Sequence, residues 1–273
     1  MEYHVFILVL VAALIHAIWN SWLKQSVDRL TSMALMGMGW MLFSLPWVFY
    51  LPLPTRASWS YLLFSTLAHV VYSLFLVTAY KKVDLSVAYP LFRGSAPLLI
   101  TLSSWILLNE ALSFVEVISI LLITVGIFFI SYQPKVFMGK ILSFGILGGA
   151  LIAIYTILDG QGARINESSQ SYAAWLFIFS GMPLFFIGLA QPNKAMQALS
   201  LRELVTGVLL GILSCIAFCI IVWALTQSPM GLVSALRETS VLMVAIFSAV
   251  HLKEKVKWPG IFLIISGLIL MRL

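Results

Sequence analysis

Apolar residues run through this chain in ten stretches, each closed by charge, proline or a glycine cluster, at about residues 4–23, 32–51, 59–80, 86–108, 114–132, 139–159, 170–190, 203–225, 231–252 and 257–272. A helix rising 1.5 Å per residue needs roughly 20 residues to cross about 30 Å of hydrocarbon, so each stretch approaches the length of a membrane span. The stretches lack the polar/apolar alternation of barrel strands, and backbone polar groups in lipid must be satisfied within their own segment. Each is therefore predicted to be a helix. The expected fold class is an all-α polytopic membrane protein with ten transmembrane helices.

Composition strengthens that reading. Of 273 residues, 62% are hydrophobic and 10% charged, against an apolar share of roughly 45–50% in soluble domains. A water-soluble globular protein is excluded, and ten short-looped spans leave no room for a separate soluble domain. The first stretch follows Met1-Glu2-Tyr3-His4 without a basic leader, so it is expected to be retained as a span.

The spans divide five and five, with expected domains 1–135 (spans 1–5) and 136–273 (spans 6–10). Arg93 and Glu110 bracket the fourth span as Arg237 and Glu254 bracket the ninth, and both pairs are related by the same offset of 144 positions. Leu98, Ser104 and Leu108 recur in register as Leu242, Ser248 and Leu252. An odd number of spans per half makes the second half enter the membrane from the opposite side, so the halves are expected to form inverted five-helix repeats. Loops after odd-numbered spans carry eleven Lys or Arg (Lys24, Arg29, Lys81, Lys82, Lys135, Lys140, Lys194, Arg202, Lys253, Lys255, Lys257), while the other loops and the termini carry three, Arg56, Arg164 and Arg272. By the positive-inside rule this places both termini outside. The net charge of +6 thus reads as membrane anchoring rather than as a nucleic-acid surface.

Charges inside spans are costly, roughly 2.5–3.5 kcal/mol at a helix centre, and mark candidate chemistry. Arg93 lies within Tyr89-Pro90-Leu91-Phe92-Arg93-Gly94-Ser95-Ala96-Pro97, where two prolines free backbone carbonyls; it either bonds those carbonyls and a neighbouring helix or contacts substrate. Arg237 and Glu238 follow Pro229 and Gly231, which suggests a broken or late-starting helix. Consecutive helical residues point about 100° apart, so each is expected to find its partner on another helix. His16, Asn20 and Lys24 share one face of the first span, and His16 is a candidate proton carrier or, alternatively, a neutral packing group. Trp19 and Trp22 fit an interfacial belt. His69 with Tyr72 and Ser73, and Tyr155 with Asp159, form further polar pairs, Asp159 being read as an interfacial end of the sixth span.

No phosphate-cradling glycine loop, HExxH, cysteine cluster or deep carboxylate pair is present in the sequence, so neither an enzyme, a cofactor nor a metal site is expected. Cys215 and Cys219 read as small core residues. Gly145 with Gly149, and Gly207 with Gly211, read as close helix-packing faces.

HAIWNSWLK from His16 to Lys24, YPLFRGSAP from Tyr89 to Pro97 and LRETSV from Leu236 to Val241, set in this ten-span frame, resemble the EamA branch of the drug/metabolite transporter superfamily across the whole chain. The resemblance implies a secondary transporter, often an exporter of amino acids or other small metabolites, with a central cavity. His16, Trp19, Asn20, Tyr89, Arg93, Arg237 and Glu238 are the substrate-binding or gate candidates, and His69, Tyr72 and Tyr155 secondary ones. The substrate expected is a small polar metabolite such as an amino acid, organic acid or phosphonate. Efflux of cationic or amphipathic drugs and a non-transporting membrane scaffold are the alternatives. Expected partners are the lipid bilayer of a bacterial inner membrane, a small-molecule substrate and protons as a candidate coupling ion, with no nucleic acid and a monomer or weak homodimer.

Overall fold

The computed structural model describes residues 1–25, 28–82, 85–131, 138–191, 195–251 and 257–272. They form α1 (Tyr3–Gln25), α2 (Arg29–Tyr50), α3 (Ser58–Lys82), α4 (Leu85–Leu108), α5 (Phe114–Ser131), α6 (Met138–Ile165), α7 (Ser169–Leu189), α8 (Leu201–Gln227), α9 (Met230–Glu238), α10 (Ser240–His251) and α11 (Trp258–Arg272), with a single 3-10 turn at Ala195–Ala198. Among the described residues there is no strand. Each predicted span falls on one helix except the ninth, which is divided into α9 and α10 by Thr239. α1 to α4 and α6 to α8 are long and apolar enough to cross a membrane, whereas α5 and α11 are shorter apolar helices.

Local chemistry explains where helices start. Asp28 caps α2 by accepting the amides of Leu30 and Thr31 at 3.1 and 3.3 Å. Ser113 and Glu116 at α5, and Ser200 and Glu203 at α8, exchange side-chain and backbone bonds in capping boxes. Along α1, Val5, Val9, Ala12 and Ala13 are buried while Ile7, Val11, Leu14 and Ile18 are exposed. Both faces are apolar; one meets protein, and the other is fit to meet lipid.

α2 packs on α7 and α8, α5 on α11, α3 and α4 on α6, and α1 on α8. Several of these crossings bring backbone against backbone. A Cβ at Gly126 would stand 2.7 Å from the Gly260 carbonyl oxygen, and one at Gly37 2.8 Å from that of Gly181. The predicted glycine faces are used inside the chain: Gly145 and Gly149 receive Leu91 and Ser95 of α4, and Gly207 and Gly211 receive Leu35 and Met36 of α2. Cys215 is buried and Cys219 half-buried, both as free thiols.

Candidate functional site

The helices enclose a cavity lined from α1 by His16, Trp19 and Asn20, from α2 by Met33, Met36 and Trp40, from α3 by His69, Tyr72, Ser73 and Leu76, and from α4 by Arg93. Tyr155 of α6, Phe177 and Leu184 of α7, and Ser214 and Phe218 of α8 complete it. Seven of the sequence candidates, His16, Trp19, Asn20, His69, Tyr72, Arg93 and Tyr155, thus line this one cavity. The side chain of Tyr89 lies outside the described residues, as does Glu254.

Arg93 joins the cavity to the broken helix. Its Nε is ion-paired with Glu238 Oε2, and its Nη2 donates to Ser240 Oγ at 3.1 Å. Arg237 donates from Nε to Glu238 Oε1 at 3.1 Å, with Nη2 also 3.1 Å from that oxygen. The three side chains are at most 2% exposed, and with one carboxylate between two guanidiniums the cluster carries a net charge of +1. The expectation that Arg237 and Glu238 do not pair is corrected here. The 100° rule applies within a continuous helix, but α9 ends at Glu238, where Thr239 turns back with its amide and its hydroxyl both on the Leu236 carbonyl, at 3.2 and 2.6 Å.

The other end of α9 is held by charge as well. α4 closes with Asn109 at φ 54° and the Glu110 amide on the Ser104 carbonyl at 3.2 Å. The left-handed residue ends the helix, and asparagine tolerates that position better than most side chains. Glu110 is thereby placed to accept the Met230 amide, the first of α9, at 2.9 Å, and to pair with Arg164 of α6 at 2.5 Å. Arg164 in turn donates to the carbonyls of Leu225 and Ser228 at 2.8 and 3.2 Å. An anion at a helix start and a cation at a helix end satisfy the orphan groups that the α8–α9 break creates.

A second polar cluster spans α3 and α6. Asp159 is completely buried, which corrects its reading as an interfacial end: α6 continues to Ile165, and Asp159 faces protein. Its Oδ1 accepts from Ser65 Oγ, and its Oδ2 lies 2.9 Å from His69 Nε2. The His69 ring stacks on Tyr155 with centroids 4.2 Å apart, and Tyr72 meets Tyr155 edge-on at 5.5 Å. Two i, i+4 pairs, Ser65 with His69 and Tyr155 with Asp159, face each other; the spacing was visible in the sequence, but their pairing across helices was not.

On α1, the Trp19 indole Nε1 donates to His16 Nδ1 at 3.2 Å and Asn20 Nδ2 to the His16 carbonyl at 2.8 Å. Trp19 belongs to the cavity rather than to an interfacial belt. Sequence reasoning also missed Trp40, whose indole donates to Ser214 at 2.7 Å, and Phe177 and Phe218, because single aromatics in apolar runs carry no signal. Among the described residues no group of three or more His, Cys, Asp or Glu is placed to hold a metal ion.

The sequence profile of the EamA-like transporter family matches residues 5–132 and again 139–273. The chain belongs to the EamA-like transporter family. It is thus a multi-pass membrane protein of the drug/metabolite transporter superfamily, a family of transporters rather than enzymes. The structure is similar to a solved crystal structure, described only as that of a protein, with a TM-score of 0.79 and 18% identity over 100% of this chain and 99% of that one. At that identity the likeness concerns the fold. No curated protein matches this EamA chain in sequence.

Proposed function

We propose that this EamA protein is a secondary exporter of a small polar metabolite bearing an anionic group, a carboxylate or a phosphonate, moved by alternating access between inverted five-helix repeats, 1–135 and 136–273. The observation that carries the substrate class is the buried triad of Arg93, Glu238 and Arg237, with net charge +1 and Arg93 on the cavity wall. An anion entering beside Arg93 gains charge-assisted hydrogen bonds and offsets a charge that the membrane interior disfavours. His16, Trp19, Asn20, Tyr72 and Tyr155 supply donors and aromatic faces around it, and Tyr89, Arg237 and Glu238 complete the candidate set.

The repeat reading is supported by reciprocal packing: α2 meets α7 and α5 meets α11, like with like, while α3–α6 is mirrored by α1–α8. Both repeats in one chain make a monomer sufficient. The charge bias of the loops supports a bacterial inner-membrane protein with termini outside, which a reporter fused to the C-terminus tests. Efflux of a cation fits less well, because the carboxylate of Glu238 is already held between two guanidiniums.

The test is thermal stability of the purified protein, wild type and Arg93→Gln, against amino acids, organic acids, phosphonates and lipophilic cations. A ligand specific to the native state at a hundredfold excess over its dissociation constant stabilises by about 2.7 kcal/mol. Stabilisation by one anionic class, lost in Arg93→Gln, is expected. Stabilisation by cations that survives the substitution overturns the substrate class, and a flat panel favours a scaffold.

A further inference from the structure

Among the described residues Asp159 and Glu238 are fully buried and Glu110 is mostly buried, and the three differ in the partner that neutralises them. Glu238 faces two guanidiniums and Glu110 faces one, and arginine keeps its charge at any ordinary pH. Asp159, with none of its side chain exposed, faces an imidazole. Its counter-charge is therefore present only when a proton is.

We propose that His69 and Asp159 form a proton-binding site in the cavity wall, the ligand being H⁺ itself. With one proton the pair is neutral overall; without it, the pair carries −1 in the membrane interior, shared through the Ser65 hydroxyl on Oδ1. The step is a proton transfer: an N–H bond forms on the His69 ring, which lines the cavity, as an O–H bond of a hydronium ion entering the cavity breaks and releases water, and the reverse transfer to water empties the site. His16, the other cavity histidine, is unsuited to the task. Its Nδ1 accepts the indole N–H of Trp19, a group that can only donate, so protonating that nitrogen would set donor against donor. The site deepens the transport reading by seating a coupling ion, and rests on that reading only for the coupling.

The groups around the pair leave the proton to it. Tyr155 stacks on His69, Tyr172 of α7 stands beside Ser65 and Asp159, Tyr72 is on α3 itself, and Cys215 and Cys219 of α8 belong to the same core cluster as Tyr172. Tyrosines and thiols ordinarily stay protonated below about pH 8. Arg93, Arg237 and Glu238, within electrostatic reach of Tyr155, form the fixed-charge triad. α2 presents Trp40 and Ser44, which do not titrate.

The chain has four histidines, so ¹⁵N-histidine NMR of the detergent-solubilised protein resolves each, assigned by single His→Gln variants. The expected result is that His69 changes protonation state over a pH titration of the folded protein while the Nδ1 of His16 stays the acceptor of the Trp19 indole. Asp159→Asn removes the anionic partner and lowers the proton affinity of His69 tenfold or more, moving the transition to lower pH. Ser65→Ala removes a donor from the carboxylate and moves it the other way, which keeps the test decisive if Asp159→Asn fails to fold. A His69 that keeps one state across the titration, or a transition that neither variant moves, overturns the site. The ligand panel above is a separate readout, so a failed proton site and a failed transport reading give different results.

Discussion

Neutralising Glu238 should damage this protein more than neutralising either of its partners. In the wild type the Arg93, Glu238 and Arg237 cluster carries +1. Glu238→Gln raises it to +2 with both guanidiniums buried, whereas Arg93→Gln lowers it to zero and leaves the Arg237–Glu238 pair intact. Breaking a buried pair by removing one partner costs about 3–5 kcal/mol, most of it from the charge left uncompensated. Glu238→Gln leaves two such charges and is expected in that range; Arg93→Gln leaves none and should cost less than half as much. Equilibrium unfolding of the three proteins in mixed detergent and SDS measures the order. The double variant Arg93→Gln/Glu238→Gln should recover part of the loss of Glu238→Gln, because one stranded guanidinium is gone. Equal losses for the two single variants, or a double variant no more stable than Glu238→Gln, would refute the charge accounting.

Other expectations are more local. Glu110→Gln loosens the α8–α9 junction, so a cysteine in place of Ser228, a residue 6% exposed, should react faster with an impermeant thiol reagent than in the Glu110 background; equal rates would mean that the clamp holds nothing. Ser200→Ala removes the α8 capping box and should cost about 1 kcal/mol, read by the same unfolding assay. Gly211→Ala forces a methyl group to within 2.5 Å of the Met36 carbonyl oxygen and should cost about 1–3 kcal/mol through overpacking. A neutral outcome would show that α2 and α8 have slack there.

The helices were legible because hydrophobic length alone specifies them in a membrane, and nine of the ten predicted spans fall on single helices. The tenth case is instructive. Pro229 and Gly231 announced trouble at the start of the ninth span, but the break at Thr239 comes from a hydroxyl and an amide turning onto one carbonyl, and threonine in a helix gives no warning of that. Arg93 was legible because an isolated charge in an apolar run demands an explanation. Asp159 was misread for the opposite reason: near the end of a run a carboxylate has a cheap alternative at the interface, and only the position of His69 on α3 shows that it turns inward. The roles of Glu110 and Arg164 depended on the end of α4 and the last turn of α6 meeting the α8–α9 junction, which no spacing along the chain records.

The glycine crossings carry a mechanical consequence. Gly37 with Gly181, Gly39 with Gly211 and Gly126 with Gly260 join α2 and α5 to α7, α8 and α11, linking residues of the first family match to residues of the second. Side chains at a joint can change rotamer and absorb displacement as lost motion. Backbone seated on backbone has no rotamers to change, so these contacts leave less room for lost motion than side-chain joints do.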